Sequence, residues 1–244
     1  MRIDIVMPSY RSEYLTCLAI KSFEQNKSTF DFRYIVVENS DDTSYRDKVK
    51  SISENVVWVQ NPTNLINSEA NAIAVEKGLE LVETELVFIC HNDVAAVDHS
   101  WMHFLLSKIN EGNKLVGTVL DNIRIKAVHI SGFLTYTKFA KENNMYPTYE
   151  GSTQILDVGD ILTQKCIEDG SSFFCCDNTE NNDLLVENLD EEFKSFGVDR
   201  CLDDSGKVIF LHLGRGTPKS NGTYSKPNRI YLKDWVKFIV QKLG

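Results

Sequence analysis

The chain has 244 residues, 42% hydrophobic and 25% charged, enough for one large domain or two small ones around a core that folds without staples. Its net charge of −9 excludes a general nucleic-acid binder, which needs clustered Lys and Arg against phosphate backbones, but leaves room for a local basic site for a nucleotide diphosphate. The six cysteines (Cys17, Cys90, Cys166, Cys175, Cys176, Cys201) form no CxxC pair and sit mostly in apolar segments. That suits reduced core thiols rather than a structural zinc and points to a cytoplasmic chain. The opening Met1 to Pro8 carries an acid and a proline, unlike a signal peptide, and no window approaches the roughly 20 apolar residues of a membrane span.

Strand and helix patterns alternate through the first 120 residues. Ile3 to Met7 reads as a strand closed by Pro8-Ser9-Tyr10, and Ser12 as the cap of a helix with Leu15, Leu18, Ala19 and Phe23 at helical spacing. Phe32 to Val37 is a second strand, delivering the polar cluster Glu38-Asn39-Ser40-Asp41-Asp42; a polar helix follows from Thr43, then a strand from Val56 to Gln60 and the turn Asn61-Pro62-Thr63-Asn64. Asn67 opens a helix through Ala70, Ile73, Ala74 and Leu81. A strand ending at Cys90, a helix over Trp101 to Ile109 and a strand over Leu115 to Val119 complete this part. Such alternation predicts parallel βαβ units, with the strand ends at Tyr10, Glu38, Asn64 and Asp93 converging on one crevice.

After residue 120 the alternation loosens. Lys126 to Phe133 reads as a strand, and Phe139 to Gly151 as a polar, tyrosine-bearing loop over a site. Asp157-Val158-Gly159-Asp160 introduces a helix that stops at Gly170, residues 171 to 176 form a short strand, and Val208 to Leu213 is a last strand ending in His212 and Gly214-Arg215-Gly216. From Tyr231 to Leu243, Leu232, Trp235, Val236, Ile239, Val240 and Leu243 fall on one helical stripe. Packing on the body is the favoured use of that stripe, and peripheral contact with the inner membrane face is the other.

The chemistry concentrates at residues 85 to 98. The apolar run Leu86-Val87-Phe88-Ile89-Cys90 reads as a strand buried on both faces and ends abruptly in His91, Asn92 and Asp93. His91 and Asp93, two apart, point to one side of an extended chain. Their imidazole and carboxylate can share a divalent cation whose open positions take phosphate oxygens.

Four segments carry a family resemblance: Ile5-Val6-Met7-Pro8-Ser9-Tyr10-Arg11, a strand-Pro-x-Tyr opening; Ile35-Val36-Val37-Glu38-Asn39-Ser40-Asp41-Asp42, a strand followed by an acid and a Ser/Asp turn; Asn64 to Asn71, a helix opening; and Phe88 to Val94, an Asp-x-Asp-type strand end. In order and spacing they resemble the inverting glycosyltransferase family 2. The resemblance implies a GT-A fold, α/β with a Rossmann-like, mostly parallel sheet flanked by helices and a smaller acceptor-side half. It implies a nucleotide-sugar-binding half over 1–120, an acceptor-binding and catalytic half over 121–230 and a C-terminal amphipathic helix over 231–244.

The implied activity is transfer of a sugar, with inversion, from a nucleotide-diphosphate donor, UDP-sugar favoured, to a glycan or lipid-linked glycan acceptor. Implied metal ligands are Asp93, His91 and His212, the last resembling the family's late histidine. Implied nucleotide contacts are Pro8, Tyr10, Arg11, Glu38, Asn64, Asn71, Asn92 and Arg215, with Tyr10 stacking on the base, Glu38 accepting its hydrogen and Arg215 closing over the phosphates. The implied base is Asp160, ten residues before Gly170, or Asp157 three residues earlier; helix capping is the other fate of either acid. Glu38 stands where the family has Asp, Asn67 stands near its usual glycine, and His91 replaces an acid. That last exchange favours Mn²⁺ over Mg²⁺, because imidazole is the softer ligand. Competing readings are a nucleotidyltransferase, which would carry a Gly-rich loop where this chain has Pro8-Ser9-Tyr10-Arg11, and a non-catalytic nucleotide-sugar- or glycan-binding relative.

Overall fold

The structure is a computed structural model that describes residues 1–121, 126–146, 156–180, 182–194, 196–214, 216 and 230–244. Its centre is a seven-stranded sheet. Strands β1 (Arg2–Ser9), β2 (Asp31–Glu38), β3 (Val56–Gln60) and β4 (Leu86–Cys90) are linked by helices α1 (Glu13–Gln25), α2 (Arg46–Lys50) and α3 (Asn67–Glu80). After β4 come β5 (Val94–Ala96), α4 (Trp101–Asn110), β6 (Leu115–Gly117), β7 (Leu120–Asp121), β8 (Ala127–Val128), β9 (Gly132–Tyr136) and α5 (Thr137–Lys141). The remainder comprises α6 (Asp160–Asp169), β10 (Phe173–Cys175), a 3-10 turn (Asp183–Asn188), α7 (Glu191–Lys194), β11 (Asp199–Leu202), β12 (Val208–His212) and α8 (Leu232–Leu243).

The sheet order is β10-β6-β9-β4-β1-β2-β3, and every neighbouring pair is parallel except the two made by β9. Its strands are apolar on both faces because helices cover both. On β1, β2 and β4, Ile3, Ile5, Met7, Phe32, Tyr34, Val36, Leu86, Phe88 and Cys90 pack on one side with Phe23 of α1 and Trp101 of α4. The intervening Val6, Ile35, Val37, Val87 and Ile89 pack on the other with Ala72 and Val75 of α3 and Leu162 of α6. This is the period of two that a pleated strand imposes. Helix α3 approaches closely through Gly78, where a Cβ would come within 2.5 Å of Val6. Pro8, buried and opposite Val37, lies beyond the stretch of β1 that pairs with β4, where its missing N–H breaks no ladder on that side.

Several expectations need correction. Lys126 to Phe133 is not one strand: β8 ends at Val128, the chain turns through His129 to Ser131, and β9 starts at Gly132. The expected covering loop from Phe139 begins inside helix α5, and its residues from 147 onward lie outside the described residues. Ser12 starts α1 without a side-chain cap, since its hydroxyl donates to the Tyr10 carbonyl at 2.8 Å. The stripe of α8, by contrast, takes the favoured course and packs on the body, with Trp235 and Ile239 buried against Leu15 and Leu18 of α1 and against Phe196. No helix among the described residues is long and apolar enough to cross one.

Candidate metal and nucleotide site

A second, antiparallel sheet of order β11-β12-β5 assembles the site. Strand β5 follows β4 after the link His91-Asn92-Asp93 and pairs with β12 so that Val94 faces His212, while β11 pairs with β12 so that Asp199 faces His212. One register therefore brings residues more than a hundred positions apart to a single point. His212 Nδ1 lies 3.1 Å from Asp199 Oδ2, and its Nε2 lies 3.5 Å from Asp93 Oδ1. His91 Nδ1 lies 3.9 Å from the same Asp93 oxygen. Asp93 is held from both sides, its carbonyl accepting from Leu213 N–H and its Oδ2 from Gly216 N–H at 2.8 Å. Only glycine permits that approach, because a Cβ at 216 would come within 2.3 Å of the Asp93 Cβ.

His91, Asp93 and His212 offer one ligand atom each within 4.8 Å of one another. Asp93 and His212 are buried, yet Asp93 Oδ1 and His212 Nε2 have no hydrogen-bond partner among the described residues, a costly arrangement unless something joins them. Two metal–ligand bonds of about 2.1 Å meeting at a roughly tetrahedral angle span such a gap. The charge balance agrees. Burial raises the Asp93 carboxyl pKa but is outweighed by His212 and His91, which hold it well below the usual range. Burial lowers that of His212 but is outweighed by Asp93 and Asp199, which push it up to about 10. The pocket is thus organised around one positive charge between two carboxylates. The Asp199 carboxylate fixes the ring so that Nε2 faces the site, and Asn71, whose amide lies 3.2 Å from His91 Nε2, orients the other imidazole. Two nitrogens and one oxygen form a donor set that suits Mn²⁺ or a softer divalent ion better than Mg²⁺.

Glu38 is fully buried, and its carboxylate is engaged by groups of the chain itself. Its Oε1 accepts from Arg11 N–H at 3.1 Å and from the Ser40 N–H and hydroxyl at 3.1 and 2.5 Å, and its Oε2 accepts from the Tyr45 hydroxyl. Glu38 therefore shapes the loop that presents Tyr10, which is 42% exposed, and Arg11. Arg11 takes a left-handed φ of 47°, and its guanidinium pairs with Asp41 at 2.9 Å. The Tyr45 hydroxyl accepts in turn from Ser9, 3.0 Å away; Ser9 lies 3.2 Å from Thr16, whose hydroxyl accepts from Asn92 Nδ2 at 3.1 Å. A buried polar chain thus joins the end of β2 to the residue between His91 and Asp93, and it turns the Asn92 side chain toward α1. Asn64 is exposed in the turn before α3. Asn67, at the start of α3, has a left-handed φ of 52°, which asparagine tolerates better than most residues. Arg215 lies outside the described residues.

Of the two candidate bases, Asp160 is buried at the first turn of α6, where its Oδ2 accepts the Asp157 N–H at 2.7 Å. That is a reciprocal turn at a helix start. Asp157 is only half-buried, and its Oδ1 accepts from the Ser68 hydroxyl at 2.7 Å. Ser68 is one turn from Asn71 on α3, so Asp157 faces the same helix opening as the His91 contact. Sequence reasoning also missed Asp199 and His129. His129 stacks edge-on to His91 at 5.6 Å, but neither residue stands in a readable motif, because each arrives by cross-strand register.

No family model and no curated protein sequence matches the chain. Solved structures do. The galactosyltransferase LgtC, in complex with donor and acceptor sugar analogues, is similar with a TM-score of 0.59 at 14% identity over 99% of this chain and 95% of that one. The mannosyltransferase PcManGT from Pyrobaculum calidifontis, in complex with GDP-Man and Mn²⁺, gives 0.57 at 12% identity over 71% of this chain. The match covers 54% of the mannosyltransferase, so the chain spans about half of that protein's length. Glucosyl-3-phosphoglycerate synthase from Mycobacterium tuberculosis gives 0.51 at 12% identity, covering 71% of this chain and 69% of that one. With β9 as the antiparallel member of an otherwise parallel seven-stranded sheet, and helices on both faces, the chain has the GT-A fold of these nucleotide-sugar glycosyltransferases.

Proposed function

We propose that the chain is a metal-dependent glycosyltransferase that moves a sugar, with inversion, from a nucleotide-diphosphate donor to the hydroxyl of a glycan or lipid-linked glycan. The observation that carries this reading is the buried Asp93 and His212 pair, 3.5 Å apart with facing atoms unpartnered among the described residues, at the carboxyl end of β4 in a GT-A sheet, where open α/β sheets take their ligands. Asp93, His91 and His212 hold a divalent ion, Mn²⁺ favoured, which when bound neutralises charge on the leaving diphosphate. Asp199 and Asn71 orient the two imidazoles. Tyr10 offers an exposed ring for the nucleotide base, and Arg11, beside Asp41, offers a guanidinium to the donor. Glu38 positions both through the loop it organises.

Asp157 serves as the general base, taking the proton of the acceptor hydroxyl as that oxygen attacks the anomeric carbon from the face opposite the departing diphosphate. Asp160 fixes the Asp157 backbone. A UDP-sugar is the favoured donor; a structure of the mycobacterial synthase holds uridine diphosphate and Mn²⁺, and the mannosyltransferase takes GDP-Man. The test is incubation with a panel of UDP-, GDP- and dTDP-sugars in Mn²⁺. Release of nucleoside diphosphate from one donor, lost in Asp93→Asn, supports the reading. Donor binding without turnover, unaltered by Asp157→Asn, would favour a non-catalytic binding protein instead.

A further inference from the structure

Past the end of β12 the chain comes back to Asp93 a second time. His212 faces Val94 in the β5–β12 pair, and Leu213 N–H, donating to the Asp93 carbonyl, continues that ladder by one residue. An extended chain would carry residue 216 roughly 13 Å beyond His212. Instead Gly214 takes a left-handed φ of 70°, and Gly216 N–H donates to Asp93 Oδ2 at 2.8 Å. The approach is by backbone alone: a Cβ at 216 would lie 2.3 Å from the Asp93 Cβ and 2.8 Å from both its Cγ and its Oδ2.

The two oxygens of Asp93 are thereby made unlike. Oδ2 is taken by the amide, whereas Oδ1 lies 3.5 Å from His212 Nε2 with no hydrogen-bond partner among the described residues. A cation that used both oxygens would have to displace the Gly216 N–H, whose hydrogen points at Oδ2. The carboxylate has little freedom to swing away, because Leu213 N–H pins the Asp93 carbonyl and the side chain is buried. Ions differ in this demand. Calcium gathers about six to eight oxygens, often both from one carboxylate, while a first-row divalent ion accepts a single carboxylate oxygen beside imidazole nitrogen.

We propose that Gly216 sets the ion selectivity of this site, its N–H holding Asp93 to ligation through one oxygen and so favouring Mn²⁺ over Ca²⁺. The inference rests on the metal centre proposed above. Gly216 is a positioning residue: it acts on the ion only through Asp93. His212 supplies a nitrogen that a hard ion disfavours, and Gly216 withholds the second oxygen that such an ion would need. The position requires glycine for a steric reason, and the selectivity follows from the N–H that glycine brings close.

The experiment compares the full chain with two variants, without nucleotide. Gly216→Ala introduces a Cβ that has no room; glycolic acid in place of Gly216 turns the amide into an ester and deletes the N–H without adding a side-chain atom. Mn²⁺ affinity is read from loss of the free-ion paramagnetic resonance signal, and Ca²⁺ affinity from its competition with Mn²⁺. Infrared difference spectra of the carboxylate stretches, with Asp93→Asn to identify the band, report whether one oxygen or both bind. The wild type is expected to prefer Mn²⁺ and to show the one-oxygen signature. In both variants Mn²⁺ should weaken by about 10- to 100-fold, Ca²⁺ should hold or tighten, and the signature should move toward two oxygens. A two-oxygen signature in the wild type, or an ester variant that matches wild type in either the Mn²⁺-to-Ca²⁺ ratio or the signature, overturns the role of Gly216; a change confined to Gly216→Ala does so too, since it would be steric. If the wild type binds no Mn²⁺, the metal centre fails and the metal-dependent reading with it; if it binds Mn²⁺ and the ester behaves alike, only the role of Gly216 fails.

Discussion

Asp93 is a buried carboxylate with one oxygen saturated by Gly216 N–H and the other facing two imidazoles, and everything at the residue scale follows from that asymmetry. The imidazole of His212 is useful only while Asp199 holds it. Asp199→Asn, which keeps the shape but removes the charge behind the ring, is expected to weaken Mn²⁺ binding by about 10- to 100-fold, measured by loss of the free-ion paramagnetic resonance signal. The two acids ahead of α6 should behave differently from one another. Asp157→Asn should lower kcat by about 10² to 10⁴ with the melting temperature near wild type. Asp160→Asn should instead cost about 1 kcal/mol of stability in chemical denaturation, with a smaller effect on turnover. The opposite pattern would return the base to Asp160.

Secondary-structure elements explain which of these residues could be read in advance. Asp93 and His91 were legible because an apolar strand that stops in ligand side chains is a local pattern, and His212 because it ends the last apolar run. Asp199 and His129 were not, since their positions follow from the β11–β12 register and from the break between β8 and β9, which short apolar runs do not announce. Glu38 was legible as an acid at a strand end, but its burial was not; the Tyr45 ring that reaches it comes from the start of the next helix. The chain from Asn92 through Thr16, Ser9 and Tyr45 to Glu38 crosses β1 and α1 beneath the crevice. Tyr45→Phe leaves a buried carboxylate oxygen without that donor and is expected to cost about 1–3 kcal/mol in denaturant unfolding. Nucleotide affinity should fall with it, because the same acid holds the Arg11 loop.

Across the whole molecule, the end of the sheet opposite the crevice is a locking point. Asp4, buried in β1, receives two hydrogen bonds from Arg33 and one from Glu83 N–H. Burial raises its pKa, but Arg33 and the Glu83 amide outweigh that and leave it below the ordinary 3.8. A carboxyl depressed by folding stabilises the fold above its unfolded pKa and loses that contribution as pH falls through the folded value. Asp4→Asn is therefore expected to cost about 3 kcal/mol at neutral pH, with the gap to wild type closing below about pH 4, as read from urea midpoints across pH. The GT-A architecture was largely legible, because alternating apolar elements dictate a layered α/β sheet. The small antiparallel sheet that completes the site was not, because β5 is only three residues long.

The most direct measurement is anomalous diffraction at the manganese edge from crystals grown with Mn²⁺ and uridine diphosphate. A single strong peak bounded by His91, Asp93 and His212, with diphosphate oxygens on its open side, is the expected result. A peak elsewhere, or none at saturating Mn²⁺, would contradict the assignment of this cluster as the metal centre.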